Sequence, residues 1–531
     1  MSSFSPFFRA ISILCICIFV MQAAPSYARS IHAQTVIDTY YMTRQGEPLW
    51  LSGKRLSRAG KTVLKTLEGA WSHGLNPELY YVSDIEYILE SDYANDPELL
   101  LKLELLVTSG LVRYIQDLSG MRVDAHALQL RPKDWNMRIS AQDALSMIPE
   151  NAEGIQEFLD GLGPQTATYQ RLKEELKRFA SKDDEQAVEP IDFNATLYPG
   201  RGHENIPKLR ERFGLQGNDT EARYTYDEAL VNAIKEFQAD HDLKPDGIIG
   251  NKTIFVLNQG KADKIKQIIL NMERLRWVPD EKPDRFIVVN IPNAQLWAIE
   301  NGEIAFSMPV VVGRKKRPTL SFVTEVHGVR FNPTWSVPPT VKKEDIWPKL
   351  KENAAYLSDK GMELRDGYQQ ASLTLDPQSI DWQGISEDEL IALNMVQIPG
   401  DHNPLGRIRV LMPNEHNIYL HDTNDKGLFY KSDRALSSGC VRMKYPEKVA
   451  NFVLRDVGSW DTTKADALIA AGETKEIYTR APYITVYLLY YTTWINSDNK
   501  VVYGQDIYDW DQLLLQELEK LDGVPIMLDN H

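Results

Sequence analysis

At Asp284 the hydrophobic period of the chain changes, and that switch constrains the fold more than any single motif. Upstream, core-type positions recur every three or four residues, as at Leu56, Gly60, Val63, Leu64 and Leu67, and Leu100 to Tyr114 is a second amphipathic stretch. Downstream, Phe286 to Ile291, Gln295 to Ile299, Phe306 to Val312 and Thr324 to Phe331 are short β-type runs. They are broken by Pro292, Asn301-Gly302 and Gly313. The first part reads as helical and the second as mainly β, so the expected class is an α+β multidomain protein.

Punctuation divides the chain further. Gly74 stops one helix and Pro77 opens the next element, which makes His73 a helix-end residue. A charged, non-periodic stretch from Ser181 to Glu189 followed by Pro190 ends a helical scaffold of residues 29–190. Residues 196–260 then hold three short helices around one apolar face, with an Asp246-Gly247 turn before the third and a polar insertion from Gly217 to Tyr226. The β domain runs over 284–531. Helix-like and irregular sequence interrupts it at about 341–400, beside the reactive stretch described below, and reads as a lid. Strands resume at Ile408 to Leu411 and Ile418 to Leu420, Pro446 to Asp456 is a helix, and Tyr483 to Trp494 is a strand that completes the domain.

The N-terminus has the pattern of a secretory signal: Arg9, an apolar core from Ile11 to Val20, then Ser26-Tyr27-Ala28 as a cleavage site. Export follows, with a retained N-terminal anchor as the minor alternative. Removing residues 1 to 28 takes the net charge from -15 to -16, which argues against nucleic acid or an anionic membrane surface as the main partner.

Of three cysteines, Cys15 and Cys17 lie in that removable segment. Cys440 is left without an internal disulfide partner, in a compartment where a spare thiol is at risk of oxidation. The small, turn-competent Ser437-Ser438-Gly439 before it favours exposed presentation, against the bland reading of a buried small hydrophobe. His421, 19 residues upstream at the end of an apolar run, is the candidate base for nucleophilic catalysis. Tyr419 shares a face with His421 on an extended strand, whereas Asp422 points away and is not assigned. There is no HExxH, CxxC, ligand-spaced carboxylate cluster or phosphate loop, so neither metal nor cofactor is expected. The basic run Arg314 to Arg317 reads as a solvated hairpin tip.

Two resemblances give these residues a setting. Phe237-Gln238, Asp246-Gly247 and Gly250 resemble the three-helix peptidoglycan-binding domain of cell-wall enzymes. His421-Asp422-Thr423 with Ser437-Ser438-Gly439-Cys440-Val441-Arg442 resembles the signature of bacterial L,D-transpeptidases, with Ser438 where the commoner pattern has histidine, as in the large Gram-negative members. Asn332 to Thr340 and Pro399 to Ile408 look like the segments flanking that type's cap.

The resemblance implies a periplasmic enzyme with Cys440 as nucleophile and His421 as base. Its donor would be a peptidoglycan tetrapeptide, which forms a thioester and releases D-alanine. A diaminopimelate acceptor gives a 3-3 cross-link and water gives L,D-carboxypeptidase activity; other wall-synthesis enzymes are conceivable partners. The Ser438-Gly439-Cys440 turn is assigned to the oxyanion, and Ser437 is a candidate substrate-binding residue. Arg442 either binds a substrate carboxylate or locks the turn. Tyr419 and Trp335 are candidate pocket walls. From another class, a non-catalytic wall-binding scaffold would have an inert Cys440.

Overall fold

The computed structural model describes residues 25–523 apart from 129, 131–134, 150–153, 182–187, 216–220, 368–371 and 459. Cys15, Cys17 and most of the expected signal segment lie outside the described residues, as do the middle of the charged boundary and the start of the polar insertion. Among the described residues no helix is long and apolar enough to cross a membrane. The chain divides into two compact units, residues 1–280 with 491–531, and residues 281–490.

The first unit is helical. Its longest helix, Pro97–Ser119, starts where Asp96 accepts hydrogen bonds from the Glu98 and Leu99 amides with proline in the first turn. Val107 and Leu111 on that helix meet Val63 and Leu67 of Arg58–Glu68 in a core free of solvent. Gly74 takes the left-handed conformation and Pro77 opens the next turn, as the sequence predicts, and Asn76 caps that turn. His73, however, is buried, with Nδ1 3.1 Å from the Tyr169 hydroxyl and Nε2 2.5 Å from Lys173 Nζ.

The small module packs Ile206–Arg212, Glu228–Asp240 and Asn251–Leu257 around Leu209, Leu230, Ile234 and Ile249. Buried Gln238 fixes its turn: Oε1 accepts from the Gly247 amide at 2.9 Å and Nε2 donates to the Ile248 carbonyl at 2.9 Å.

The helix Lys261–Trp277 is not among the expected elements, and it buries polar residues as deeply as apolar ones: Asn271, Glu273 and Arg276 are as buried as Ile268 and Met272. Its polar groups need partners, and this corrects the expectation that the β domain runs to residue 531. The strand Ile484–Leu489 ends, and the segment from Tyr491 groups with the first unit. There the Thr492 amide donates to Asn271 Oδ1 at 2.9 Å, while Gln267 Nε2 donates to the Thr492 and Gly504 carbonyls at 3.0 and 2.6 Å. The apolar run Tyr483 to Trp494 carries no mark of this division.

The second unit is built on a curled 11-stranded sheet. In spatial order its main path is Lys475–Tyr478, Gly328–Phe331, Ile408–Leu411, Leu420–His421, Val441–Met443, Glu303–Gly313, Gln295–Glu300, Arg285–Asn290, Ile484–Leu489 and Phe322–Val326. Asn301 and Gly302 turn the expected hairpin with φ of 50° and 82°. The run Thr324 to Phe331, expected as one strand, is split at His327, and at Gly328, which opens the second strand, a Cβ would stand 2.3 Å from the Ile477 carbonyl oxygen.

The cap is a small α/β body with its own core of Leu357, Leu364, Leu390 and Met395. Its sheet, Thr374–Leu375, Met362–Arg365, Asn394–Gln397 and Trp335–Ser336, begins upstream of the expected residue 341. Buried Lys342 donates to the Ile391 and Leu393 carbonyls at 2.8 and 2.5 Å.

Candidate active site

Three adjacent strands carry the site. Ile408, Val410, Leu420, Val441 and Met443 are fully buried on one face, and that alternation commits the residues between them to the other. Arg409 is the antiparallel partner of His421, and His421 the parallel partner of Arg442. Leu420 pairs with Val441, and the Val441 amide donates to the Tyr419 carbonyl at 2.9 Å, so Tyr419 and Cys440 follow as neighbours in the next row of the same face. The structure therefore brings Cys440, His421, Arg442 and Tyr419 together, and adds Arg409.

Cys440 is half-buried, its Sγ 3.7 Å from the Asn417 carbonyl oxygen, to which it donates. Burial raises the thiol pKa, opposed by the Tyr419 amide and by the charges of Arg409 and Arg442. His421 is 4% exposed, and its Nδ1 donates to the Asp422 backbone carbonyl at 2.5 Å. A carbonyl only accepts, so the proton sits on Nδ1 and Nε2 carries the lone pair. Burial, then Arg442, lowers the His421 pKa to about 3. Both shifts favour a neutral thiol beside a neutral imidazole.

The Asp422 carboxylate faces away from the site, as strand alternation requires. It accepts from the Arg407 amide at 2.8 Å and from Lys426. The nucleophile turn is held from within: Ser437 Oγ donates to the Cys440 carbonyl at 2.6 Å and accepts from the Gly439 amide at 3.2 Å. Gly439, at φ 113°, adopts a conformation that side chains resist, and its carbonyl accepts from Thr319 Oγ1 at 2.7 Å. The Gly439 amide is thus already engaged.

The basic run is solvated only in part: Lys315 and Lys316 are exposed, but Arg317 is not. Arg317 is 9% exposed and donates to Ser438 Oγ at 3.1 Å, to Asp345 at 2.7 Å and to Glu344 through Nε at 3.2 Å, while Arg314 pairs with Asp345 at 3.6 Å. Glu344 and Asp345 lie in the cap, 27 and 28 residues further along, and their pull on Arg317 is long-range, invisible in a local charge pattern.

Arg442 Nη1 is 3.5 Å from Thr423 Oγ1. The Tyr419 hydroxyl donates to Asn417 Oδ1 at 3.1 Å, and the Arg409 guanidinium lies 3.7 Å over its ring. Trp335 pairs with Gln397 and packs, half-buried, on the cap core. His402 is exposed, His416 packs on Phe322, and His327 stacks on Tyr483. Sequence reasoning passed over Arg409, although a lone charge between Ile408 and Val410 marks it as sharing the face of His421.

Residues 284–469 match the L,D-transpeptidase catalytic domain, residues 35–176 a scaffold domain, and residues 208–257 a domain described as "putative peptidoglycan binding domain". The chain carries an L,D-transpeptidase catalytic domain. A Haemophilus influenzae protein described as "putative L,D-transpeptidase" is 33% identical over 266 residues, 50% of this chain and 52% of that protein, so the match spans about half the length of that relative. Among solved structures, an L,D-transpeptidase from Stackebrandtia nassauensis is 12% identical over 55% of this chain and 94% of its own, with a TM-score of 0.18. One from Xylanimonas cellulosilytica is 13% identical over 57% and 100%, with a TM-score of 0.16.

Proposed function

We propose that this chain is a bacterial cell-wall L,D-transpeptidase that forms 3-3 cross-links through a thioester on Cys440. The observation that carries the reading is the shared face of Cys440 and His421 on neighbouring strands, with the imidazole tautomer set by the Asp422 carbonyl. Neutral His421 takes the thiol proton through Nε2 as Sγ attacks the carbonyl of a tetrapeptide donor. The S–C bond forms, the C–N bond to D-alanine breaks, and the imidazolium returns its proton to the departing amine. A diaminopimelate side-chain amine then attacks the thioester; a C–N bond forms, the S–C bond breaks, and the proton passes through His421 back to sulfur.

The Gly439 amide is occupied by Ser437, which leaves the Cys440 amide as the preferred oxyanion donor of the turn. The small module is read as a glycan or stem-peptide tether and the N-terminal segment as an export signal to the periplasm.

The test is intact-protein mass spectrometry of residues 29–531 with a disaccharide tetrapeptide, beside Cys440→Ala and His421→Ala, with muropeptide analysis. An adduct on Cys440, D-alanine release and 3-3 dimers, absent from Cys440→Ala, are expected. Tripeptide without dimers replaces transpeptidation with L,D-carboxypeptidase activity. A folded protein giving neither adduct nor product, and unlabelled by a carbapenem, overturns enzymatic function in favour of a wall-binding scaffold.

A further inference from the structure

Across the sheet, paired residues form one row on one face: Glu476, Arg330, Arg409, His421 and Arg442. Glu476 neutralises Arg330, whose Nε donates to it at 2.5 Å. Two further arginines of this unit are satisfied as well. Arg317 holds two cap carboxylates, and Arg434 donates to the Val310, Asn293 and Ala294 carbonyls at 3.0–3.1 Å. Among the described residues Arg409 and Arg442 of the row have no carboxylate at ion-pair distance, but Arg442 reaches Thr423 Oγ1 at 3.5 Å, whereas the Nε of Arg409 is buried without an acceptor.

A buried guanidinium N–H without a partner is costly unless an acceptor arrives. The planar group is meanwhile held over the Tyr419 ring, so little side-chain freedom remains to be lost on binding. It stands beside His421 in register, near enough to Cys440 for its charge to favour the thiolate. A planar fork of N–H donors matches a carboxylate in shape as well as charge.

We propose that Arg409 receives a carboxylate of the acyl donor and sets its position against Cys440. That the donor is a stem peptide rests on the transpeptidase reading; the anion site itself does not.

Two experiments on the full chain separate these claims. The first compares alkylation of Cys440 by iodoacetate, an anion, and iodoacetamide, its neutral analogue; their rate ratio cancels changes in thiolate fraction. Arg409→Gln should lower that ratio about tenfold and Arg409→Lys should restore part of it. The second needs no variant: disaccharide tetrapeptide with free carboxylates should acylate the unaltered protein at least about tenfold faster than the same peptide with carboxamides, and Arg409→Gln should erase the preference. An unchanged alkylation ratio, or equal use of acid and amide donors, overturns the proposal. A ratio that falls while no stem peptide acylates any variant leaves the anion site standing and removes the transpeptidase reading.

Discussion

Arg317 donates to Ser438 Oγ, two residues before the nucleophile, with the same guanidinium that holds Glu344 and Asp345 of the cap. One side chain thereby joins the cap to the turn that presents Cys440. With Thr319 gripping the Gly439 carbonyl from the same loop, the turn is braced on the side facing the cap.

Arg317→Ala should uncouple the two. Glu344 and Asp345 are about half exposed, so water replaces the lost partner and the stability cost should be only about 1 kcal/mol. Misplacing a nucleophile costs more than that, and the acylation rate of Cys440 should fall by about tenfold to a hundredfold. Stopped-flow acylation beside a denaturant curve checks both. A rate loss no larger than the stability loss explains would remove the bracing role.

The neutral resting pair has a pH signature. The folded pKa of His421 is about 3 and that of His73 about 2, both below the unfolded value of about 6.5. Below that value the unfolded chain binds protons that the folded chain refuses, so their contribution is complete above about pH 6.5 and is lost as pH falls toward 3. Each histidine should contribute about 1.4 kcal/mol per pH unit inside that window. Urea midpoints from pH 7 to pH 4 should fall more steeply for the unaltered protein than for His421→Gln. Equal slopes would mean that His421 is protonated in the fold.

What the sequence disclosed was whatever local chemistry writes into neighbouring residues. Cys440 and His421 stand out because a lone thiol after a small-residue turn and a histidine ending an apolar run are local signals; the Asn301-Gly302 hairpin and the Gly74 helix stop are local too. What stayed hidden depends on partners far along the chain. Nothing near Arg317 distinguishes it from Lys315 or Lys316, and only the cap carboxylates draw it inward. On Lys261–Trp277, buried Gln267 and Asn271 find their partners at Thr492 and Gly504, far along the chain, and the same contacts take those residues out of the β domain. Arg409 was legible in principle, since one charge in an apolar alternation must face the site or solvent.

Lys342 tests the cap by itself. It is 1% exposed, its Nζ is bound to two carbonyls at the C-terminal end of the helix Glu387–Ala392, and burial lowers its pKa. Lys342→Met preserves the packing of the stem but leaves the Ile391 and Leu393 carbonyls without that donor, a loss of about 1–3 kcal/mol. Because the cap has its own core, hydrogen exchange should accelerate in residues 339–397 and stay unchanged in the sheet around His421. Uniform acceleration would show that the cap does not open separately.

Glu273 is the sharpest test of the first unit. It is fully buried and accepts from Arg122 Nε at 2.9 Å, the Arg122 amide at 3.1 Å, Arg276 Nη1 at 2.7 Å and Trp277 Nε1 at 3.1 Å. Its carboxylate pKa stays below the usual value, because Arg122 and Arg276 outweigh the burial that opposes ionisation. Such a cluster is weak evidence of net stabilisation, but removing its anion strands two buried cations, and Asp522 answers only one of them, Arg122, at 3.2 Å. Glu273→Ala should therefore cost about 3–5 kcal/mol, measured as a lower denaturant midpoint. Replacing Glu273, Arg122 and Arg276 together by Leu, Met and Met should recover much of that loss, since the desolvation penalty disappears along with the charges. If the single variant is nearly neutral, Arg122 and Arg276 must find other anions or water when Glu273 is gone, and the cluster is not what holds Lys261–Trp277 in place.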